Sequence, residues 1–274
     1  MRYFDNSNGN HGLSNVALLQ AAPCVFTKTA SYLRDSDRYS QYSTCDVIEA
    51  LRDEGYHPVS VRTNGTRLER NNTLDTRKHV VHLTHVDYLG DNFKKGDERP
   101  EIVITNSHDG SSSYQIFAGL FRKVCENGLV AAQSNVAEHR IRHMGHDFNE
   151  IIDASLKTAK DLSNVVEAVE EMKNCRLTEK EAKEFAKLAA DLRFGENKHD
   201  NSESLLTLRR REDAWEPTLW NTFNVIQENL IKGGQMMNGR VMRPINNIER
   251  DISLNRNLWR IAHNKLNTNN LFLA

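Results

Sequence analysis

The four cysteines, Cys24, Cys45, Cys125 and Cys175, form no C-x-x-C or C-x-x-x-C pair. Spacing this wide argues against a zinc ribbon and against a disulfide framework. Long apolar runs are also missing, since no stretch approaches the roughly 20 residues that cross a bilayer. The opening Met1-Arg2-Tyr3-Phe4-Asp5-Asn6 runs on into Asn, Ser and Gly rather than into the apolar core of a secretory signal. A cytoplasmic location, with no membrane partner, is the expectation. Neither sign of charge dominates: 36 Lys+Arg stand against 37 Asp+Glu. No global field draws a polyanion, so any nucleic-acid surface has to be local. The phosphate loops GxxxxGK[ST] and GxGxxG are absent, which removes the usual cradle of a nucleotide-driven motor or a dinucleotide enzyme. Lys232-Gly233-Gly234 is the nearest approach, but its glycines follow a helical stretch and read as a C-cap. No cofactor is expected. There is no internal repeat, low-complexity tract or Pro/Ser-rich linker, which favours two tightly joined halves.

What is present is a chain of 274 residues with 38% hydrophobic content, enough for one large core or two modest ones. Residues 1–40 read as an N-terminal arm with one helical turn at Val16-Ala17-Leu18-Leu19. Thr44 suits an N-cap ahead of a helix with Val47, Ile48 and Leu51 on one face and Gly55 as its stop. The period then changes to two. His57 to Arg62 reads as a strand with Pro58 at its start, and His79 to Asp87 as a second, with Val81 and Leu83 opposite Val80, His82 and Val86. Glu101 to Thr105 is a third strand closed by the turn Asn106-Ser107-His108-Asp109-Gly110. Tyr114 to Phe121 fits a fourth strand or a helix, and periodicity does not decide between them.

Helical spacing then predicts one long helix over about 145–172, and Thr178-Glu179-Lys180-Glu181 a capping box opening a helix to Leu192. The polar stretch from Gly195 to Ser204 reads as a mobile loop, followed by helices near Pro217–Lys232 and Asn246–Leu266. Trp215, Trp220 and Trp259 read as core. The expected fold class is α+β: a small, mainly antiparallel sheet of three to four strands with flanking helices, followed by a helical C-terminal half. The expected divisions are an arm at 1–40, a core at 41–140 and a helical region at 141–274 packed on that core.

Several irregular strings carry a resemblance: Asn106 to Ser112, Gly119-Leu120-Phe121-Arg122-Lys123-Val124-Cys125-Glu126-Asn127-Gly128-Leu129-Val130, Arg142-His143-Met144-Gly145, Leu219 to Asn229 with Gly233-Gly234, Leu254-Asn255 and Leu258-Trp259. In these the chain resembles the family catalogued as domain of unknown function 932, also called phage/plasmid-like proteins, from about Pro23 to Trp259. The resemblance implies a home in phages, prophages and plasmids and supplies no activity. The order of elements, with Val47-Ile48 and Gly55-Tyr56-His57-Pro58-Val59-Ser60-Val61, is similar to the core of single-strand annealing proteins of the Redβ, RecT and Erf group. That similarity implies single-stranded DNA as a partner and assembly into homo-oligomers.

Cations and aromatics supply candidate contacts. Arg62, Arg67, Arg70, Arg77 and Lys78 cluster around the first hairpin, and Arg122 and Lys123 sit beside an Asn-Gly turn. Arg140, Arg142 and His143 complete the cationic set, and Tyr114 joins it as a face on which a base stacks, with Tyr56 and Phe121 as further platforms. An ordinary solvated hairpin is the competing reading, because Glu69, Asp75 and Asp87 dilute the cluster. If their segment is helical, His139 and His143 are an i, i+4 pair near Glu138, His146 and Asp147, which is the spacing of a metal site; hydrogen-bonded structural or phosphate-contacting histidines are the competing reading. Asn106 to Gly110 reads better as an Asx-type turn than as a nucleophilic triad, and Cys125 reads as core. From Arg240 to Lys265 six cations face Glu249 and Asp251, a local +4 suited to an amphipathic helix with a basic face.

The function expected is binding of single-stranded DNA, for annealing, recombination or replication on a mobile element. The first alternative is a non-enzymatic protein that binds and inhibits a component of host defence. The second is a His-dependent metalloenzyme.

Overall fold

A computed structural model describes residues 2–5, 11–28, 43–64, 75–90, 98–108, 112–122, 127–130, 139–141, 148–209 and 216–271. The fold is α+β and divides into two compact units, residues 1–128 with 135–162 and residues 129–134 with 163–274.

The first unit carries the sheet. Its strands are β1 (Arg2–Asp5), β2 (Tyr56–Thr63), β3 (His79–His85), β4 (Glu98–Asn106), β5 (Tyr114–Arg122), the first two residues of β6 (Asn127–Val130) and β7 (His139–Ile141), and its helices are α1 (Asn15–Ala21), α2 (Thr44–Asp53) and α3 (Phe148–Lys160). Strands β1 to β5 lie in consecutive antiparallel order, with β6 and β7 both pairing β5. The sheet therefore exceeds the three to four strands expected. Part of the excess comes from the segment read as an arm, whose β1 pairs β2 from Arg2↔Thr63 to Asp5↔Ser60.

The ambiguous segment from Tyr114 is strand. Its residues from Gln115 to Arg122 pair β4, and its side chains are buried on both faces, which is why alternation was hard to see. Register sorts the sheet's two faces. One presents Val61, Thr63, His79, Val81, Leu83, Ile102, Ile104, Asn106, Tyr114 and Ile116, and the other Ser60, Arg62, Val80, His82, Arg99, Glu101, Val103, Thr105 and Phe117.

Helix α2 packs on β2, and α3 on β4 and β5. Val47, Ile48 and Leu51 of α2 are fully buried, each contributing at most about 1.5–3 kcal/mol of transfer free energy. Thr44 is not the cap expected of it. Ser43 holds the N-cap position, and Thr44 lies inside the helix with its hydroxyl turned to the sheet. The single helix expected over 145–172 is two, α3 and α4 (Leu162–Asn174), parted at Asp161. Near the break Thr158 returns its hydroxyl to the Ala154 carbonyl at 2.8 Å, competing with the backbone pattern.

The second unit contains α5 (Glu179–Phe194), α6 (Leu219–Lys232), the short pair β8 (Met236–Met237) and β9 (Arg240–Val241), and α7 (Ile248–Leu271). Trp220 stacks on Phe223 at 5.7 Å, and Phe223 meets Trp259 edge-on at 6.1 Å, so both tryptophans are core as expected. Trp215 lies outside the described residues. The stretch expected as a mobile loop is ordered by side chains: Asp191 accepts from the Asn197 N–H at 2.9 Å and sits 3.0 Å from His199 Nε2, while Asn238 donates to the Lys198 carbonyl at 2.7 Å. No helix among the described residues is long and apolar enough to cross a membrane.

The capping box is present. The Thr178 hydroxyl accepts from the Glu181 N–H at 3.3 Å, and Glu181 accepts from the Thr178 N–H at 2.8 Å. Thr178→Ala is expected to cost about 1 kcal/mol, lowering the thermal midpoint by a few degrees in a calorimetric scan. Thr178→Ser should recover most of it.

Candidate functional site

Strand register decides which cations share a place. Arg62 pairs Val80, Val80 pairs Thr105, Thr105 pairs Gln115 and Gln115 pairs Arg140, so both arginines stand on one transverse row of one face. Four interstrand steps of about 4.8 Å separate them by roughly 19 Å. Arg77 and Lys78 lead into β3 at the same end, where the Asn64 N–H donates to the Lys78 carbonyl and the His108 N–H to the Thr76 carbonyl, both at 3.1 Å. Arg140 is exposed, its Nε donating to Ser113 Oγ at 2.8 Å. Arg62 and Arg77 are half-buried, and Lys78 is 7% exposed. Val80 and Thr105 are fully buried, so the middle of the row is closed and the open positions are its flanks and the sheet's end.

Among the described residues the two ends of the sheet differ in charge. Residues 62–64, 75–80, 105–108, 112–115 and 139–141 hold Arg62, Arg77, Lys78 and Arg140 against Asp75, four minus one giving +3. At the opposite end, residues 54–58, 83–90, 98–100 and 120–122 hold Arg99 and Arg122 against Glu54, Asp87 and Glu98, two minus three giving −1.

The candidate set is therefore divided. Arg122 pairs Glu98 at the negative end, eight residues and so about 27 Å along β5 from Tyr114. Tyr114 is fully buried on the helix-covered face, which withdraws it as a stacking platform. Arg67, Arg70, Lys123, Arg142 and His143 lie outside the described residues.

Beneath the positive end runs a buried relay that sequence reading did not assemble. His79 Nδ1 lies 3.0 Å from the Arg77 carbonyl, which can only accept, so Nδ1 carries the proton and Nε2 accepts from the Thr44 hydroxyl at 2.8 Å. The Asn106 amide donates to Thr44 Oγ1 at 3.1 Å and its oxygen accepts from the Ser107 N–H at 2.8 Å. Ser107 Oγ in turn accepts from the Ser112 N–H at 3.1 Å, and the His108 ring lies 5.6 Å from that of His79. The string Asn106-Ser107-His108 thus ties α2, the start of β3 and Ser112 together.

Burial pushes His79 down to about 4, against a smaller opposing pull from the Arg77 carbonyl. The folded state holds it neutral while the unfolded chain protonates it from about pH 6.5 downward, so stability is full above that pH and falls toward pH 4. Between pH 7 and pH 5 the loss from this group is about 2 kcal/mol. Urea midpoints should show that loss in the natural protein and not in His79→Gln.

The other face holds a second buried group. Glu101 Oε2 lies 2.7 Å from His82 Nδ1 and Oε1 2.7 Å from an Arg99 guanidinium nitrogen, and that guanidinium sits 4.7 Å above the Phe121 ring. Arg99 and Glu101 are each 1% exposed. Burial acts to raise the Glu101 carboxyl, but Arg99 and His82 together outweigh it and hold the group below the usual carboxylate range. Arg99 and Glu101 were visible as charges two apart in an apolar strand, a parity that places both on one face.

The helical His139–His143 pair does not form, because His139 lies in β7. Among the described residues no group of three or more His, Cys, Asp or Glu side chains could hold a metal ion.

Comparison with known proteins gives family but not activity. The family described as Domain of unknown function (DUF932) matches residues 34–259. UPF0380 protein YfjQ of Escherichia coli (strain K12) is 34% identical over 259 residues, covering 93% of this chain and 92% of its own. UPF0380 protein YafZ of the same strain is 34% identical over 257 residues, covering 91% and 90%. No solved structure gives a significant match.

Proposed function

The chain belongs to the DUF932 family, and from that premise we propose that it binds single-stranded nucleic acid, DNA by preference, at the positive end of its sheet. The observation that carries this reading is the charge difference between the two ends, +3 against −1. A near-neutral chain attracts a polyanion only where its cations are gathered, and among the described residues four of the six counted at the sheet's two ends stand at one of them. Two further points support it. The helix followed by an antiparallel meander is similar in order to single-strand annealing proteins, and the irregular strings resemble phage and plasmid proteins. On this reading the protein works in the cytoplasm in annealing, recombination or replication of a mobile element, as a homo-oligomer.

The roughly 19 Å between Arg62 and Arg140 spans about five to six phosphates at the ~3.4 Å rise of a B-form strand. Several ionic contacts of this kind make affinity steeply salt-dependent, by about 0.7 in log–log slope for each phosphate neutralised. The test is an anisotropy titration of labelled single-stranded oligonucleotide at low and moderate salt. Binding that weakens steeply with salt is the expected outcome. Absence of binding at low salt removes the reading and leaves a protein target, such as a component of host defence, as the better account.

A further inference from the structure

We propose that the cleft between the last turn of α5 and the first turns of α7 binds a phosphate carried on an apolar body, of the size of a mononucleotide. The cleft lies wholly within the second unit, independently of the sheet's positive end, and has a volume of about 300 Å³, at the lower end of the range for small-ligand sites. Arg250, Ser253, Leu254 and Asn257 line one side of it. They are spaced i, i+3, i+4, i+7 and so form a single stripe of α7. The stripe offers a cation, a hydroxyl, an apolar side chain and an amide in order. Leu192 and Ile245 extend the apolar surface from the other side.

Arg193 supplies the second cation, and it is fixed in place. Its guanidinium donates to the Leu230 and Arg243 carbonyls and is half-buried. Arg193 and Arg250 line the same recess, and burial, then the charge of Arg250, lower the Arg193 pKa. Glu249 at the rim is the acidic member of the lining, leaving a formal +1 from two arginines and one carboxylate. The N-terminus of α7, where the Arg250 N–H donates to Asn247 Oδ1 at 3.0 Å, adds roughly half a positive charge, set against Asp251 in the same turn. Like charges held together in a recess are a cost to the empty fold, and a shared anion removes it. Perturbed groups in a cleft are where binding sites concentrate. A phosphate offers oxygens to two guanidinium groups approaching from different elements, and a base or sugar attached to it covers Leu192, Ile245 and Leu254.

Such a phosphate comes either from a free nucleotide or from the end of a strand. The test is calorimetric titration of the full chain with thymidine monophosphate, with inorganic phosphate, and with short oligonucleotides with and without a 5′ phosphate. The mononucleotide, or the phosphorylated oligonucleotide over its unphosphorylated twin, is expected to bind at least tenfold more tightly than inorganic phosphate. Preference for the mononucleotide identifies a free nucleotide, and preference for the phosphorylated end identifies a strand terminus. Arg250→Ala should weaken that binding at least tenfold and Arg250→Lys by less, and the ligand-free thermal midpoint of Arg250→Ala should be no lower than that of the natural protein, because Arg250 is exposed and its charge opposes that of Arg193. Inorganic phosphate binding as tightly as the organic phosphates, no heat from any of them at millimolar concentration, or Arg250→Ala binding as the natural protein does, each overturns the proposal.

Discussion

Reversing both ends of the cationic row, as Arg62→Glu with Arg140→Glu, is expected to weaken single-stranded DNA binding by about 100-fold or more. A hydrogen bond to a charged group contributes about 1.5–3 kcal/mol, so losing two removes about 3–6 kcal/mol before repulsion is added. The log–log salt slope should flatten by about 1.4, two contacts at 0.7 each. Arg122→Glu, at the negative end of the same sheet, should change affinity by less than about twofold, since about 27 Å exceeds the ~8 Å screening length at physiological salt. Circular dichroism should be unchanged in the Arg140 single variant, whose side chain is exposed. If Arg122→Glu weakens binding as much as the double reversal, the contact surface is not the end assigned here.

The largest stability effect should come from the buried group on the opposite face. Glu101→Gln takes the carboxylate charge from beside the buried Arg99 guanidinium, and breaking a buried pair in this way typically costs about 3–5 kcal/mol. Replacing all three members by apolar residues of similar volume should cost less than the single change, because no charge is then left stranded. Urea unfolding of the single and triple variants at pH 7 makes the comparison, and a loss below about 1 kcal/mol for Glu101→Gln would show the pair to be solvated. The pH dependence has a definite sign. A carboxyl held below its ordinary value stabilises the fold above the unfolded-state pKa, and that stabilisation disappears as pH falls through the folded value. Its window lies on the acid side of about 4.5, below most of the His79 window.

Much of the fold was legible because local signals agreed with it. The capping box at Thr178 and Glu181 sits where the sequence put it, and so does the helix stop at Gly55, with φ of +83°. The burial of Trp220 and Trp259 followed from their apolar neighbours. Within β3 the faces were legible, Val81 and Leu83 lying opposite Val80 and His82, but those of β2 were not. A bulge between Pro58 and Ser60 shifts parity by one, so Arg62 lies on the face opposite Pro58 although even spacing puts them together. Nothing local announces that bulge. Nor could sequence place Arg140 on the Arg62 row, which depends on five strands in register, or separate Arg122 from the other cations along the length of β5. Asn106 ends β4, its oxygen accepting from the Ser107 N–H, and the rest of the turn expected through Gly110 lies outside the described residues. Its amide also reaches Thr44, a contact 62 positions away that no local pattern encodes. His139 misled for a related reason: i, i+4 spacing has meaning only on a helix, and the residue is in a strand.

The most direct test exploits the fact that the two ends of β5 differ. A photoreactive side chain placed at Ser113, just before the strand's first residue, and another placed at Arg122, its last, sample the positive and the negative end. Irradiation with labelled single-stranded DNA should crosslink the protein through position 113 and leave position 122 at background. Equal crosslinking at both positions, or crosslinking at 122 alone, contradicts the assignment.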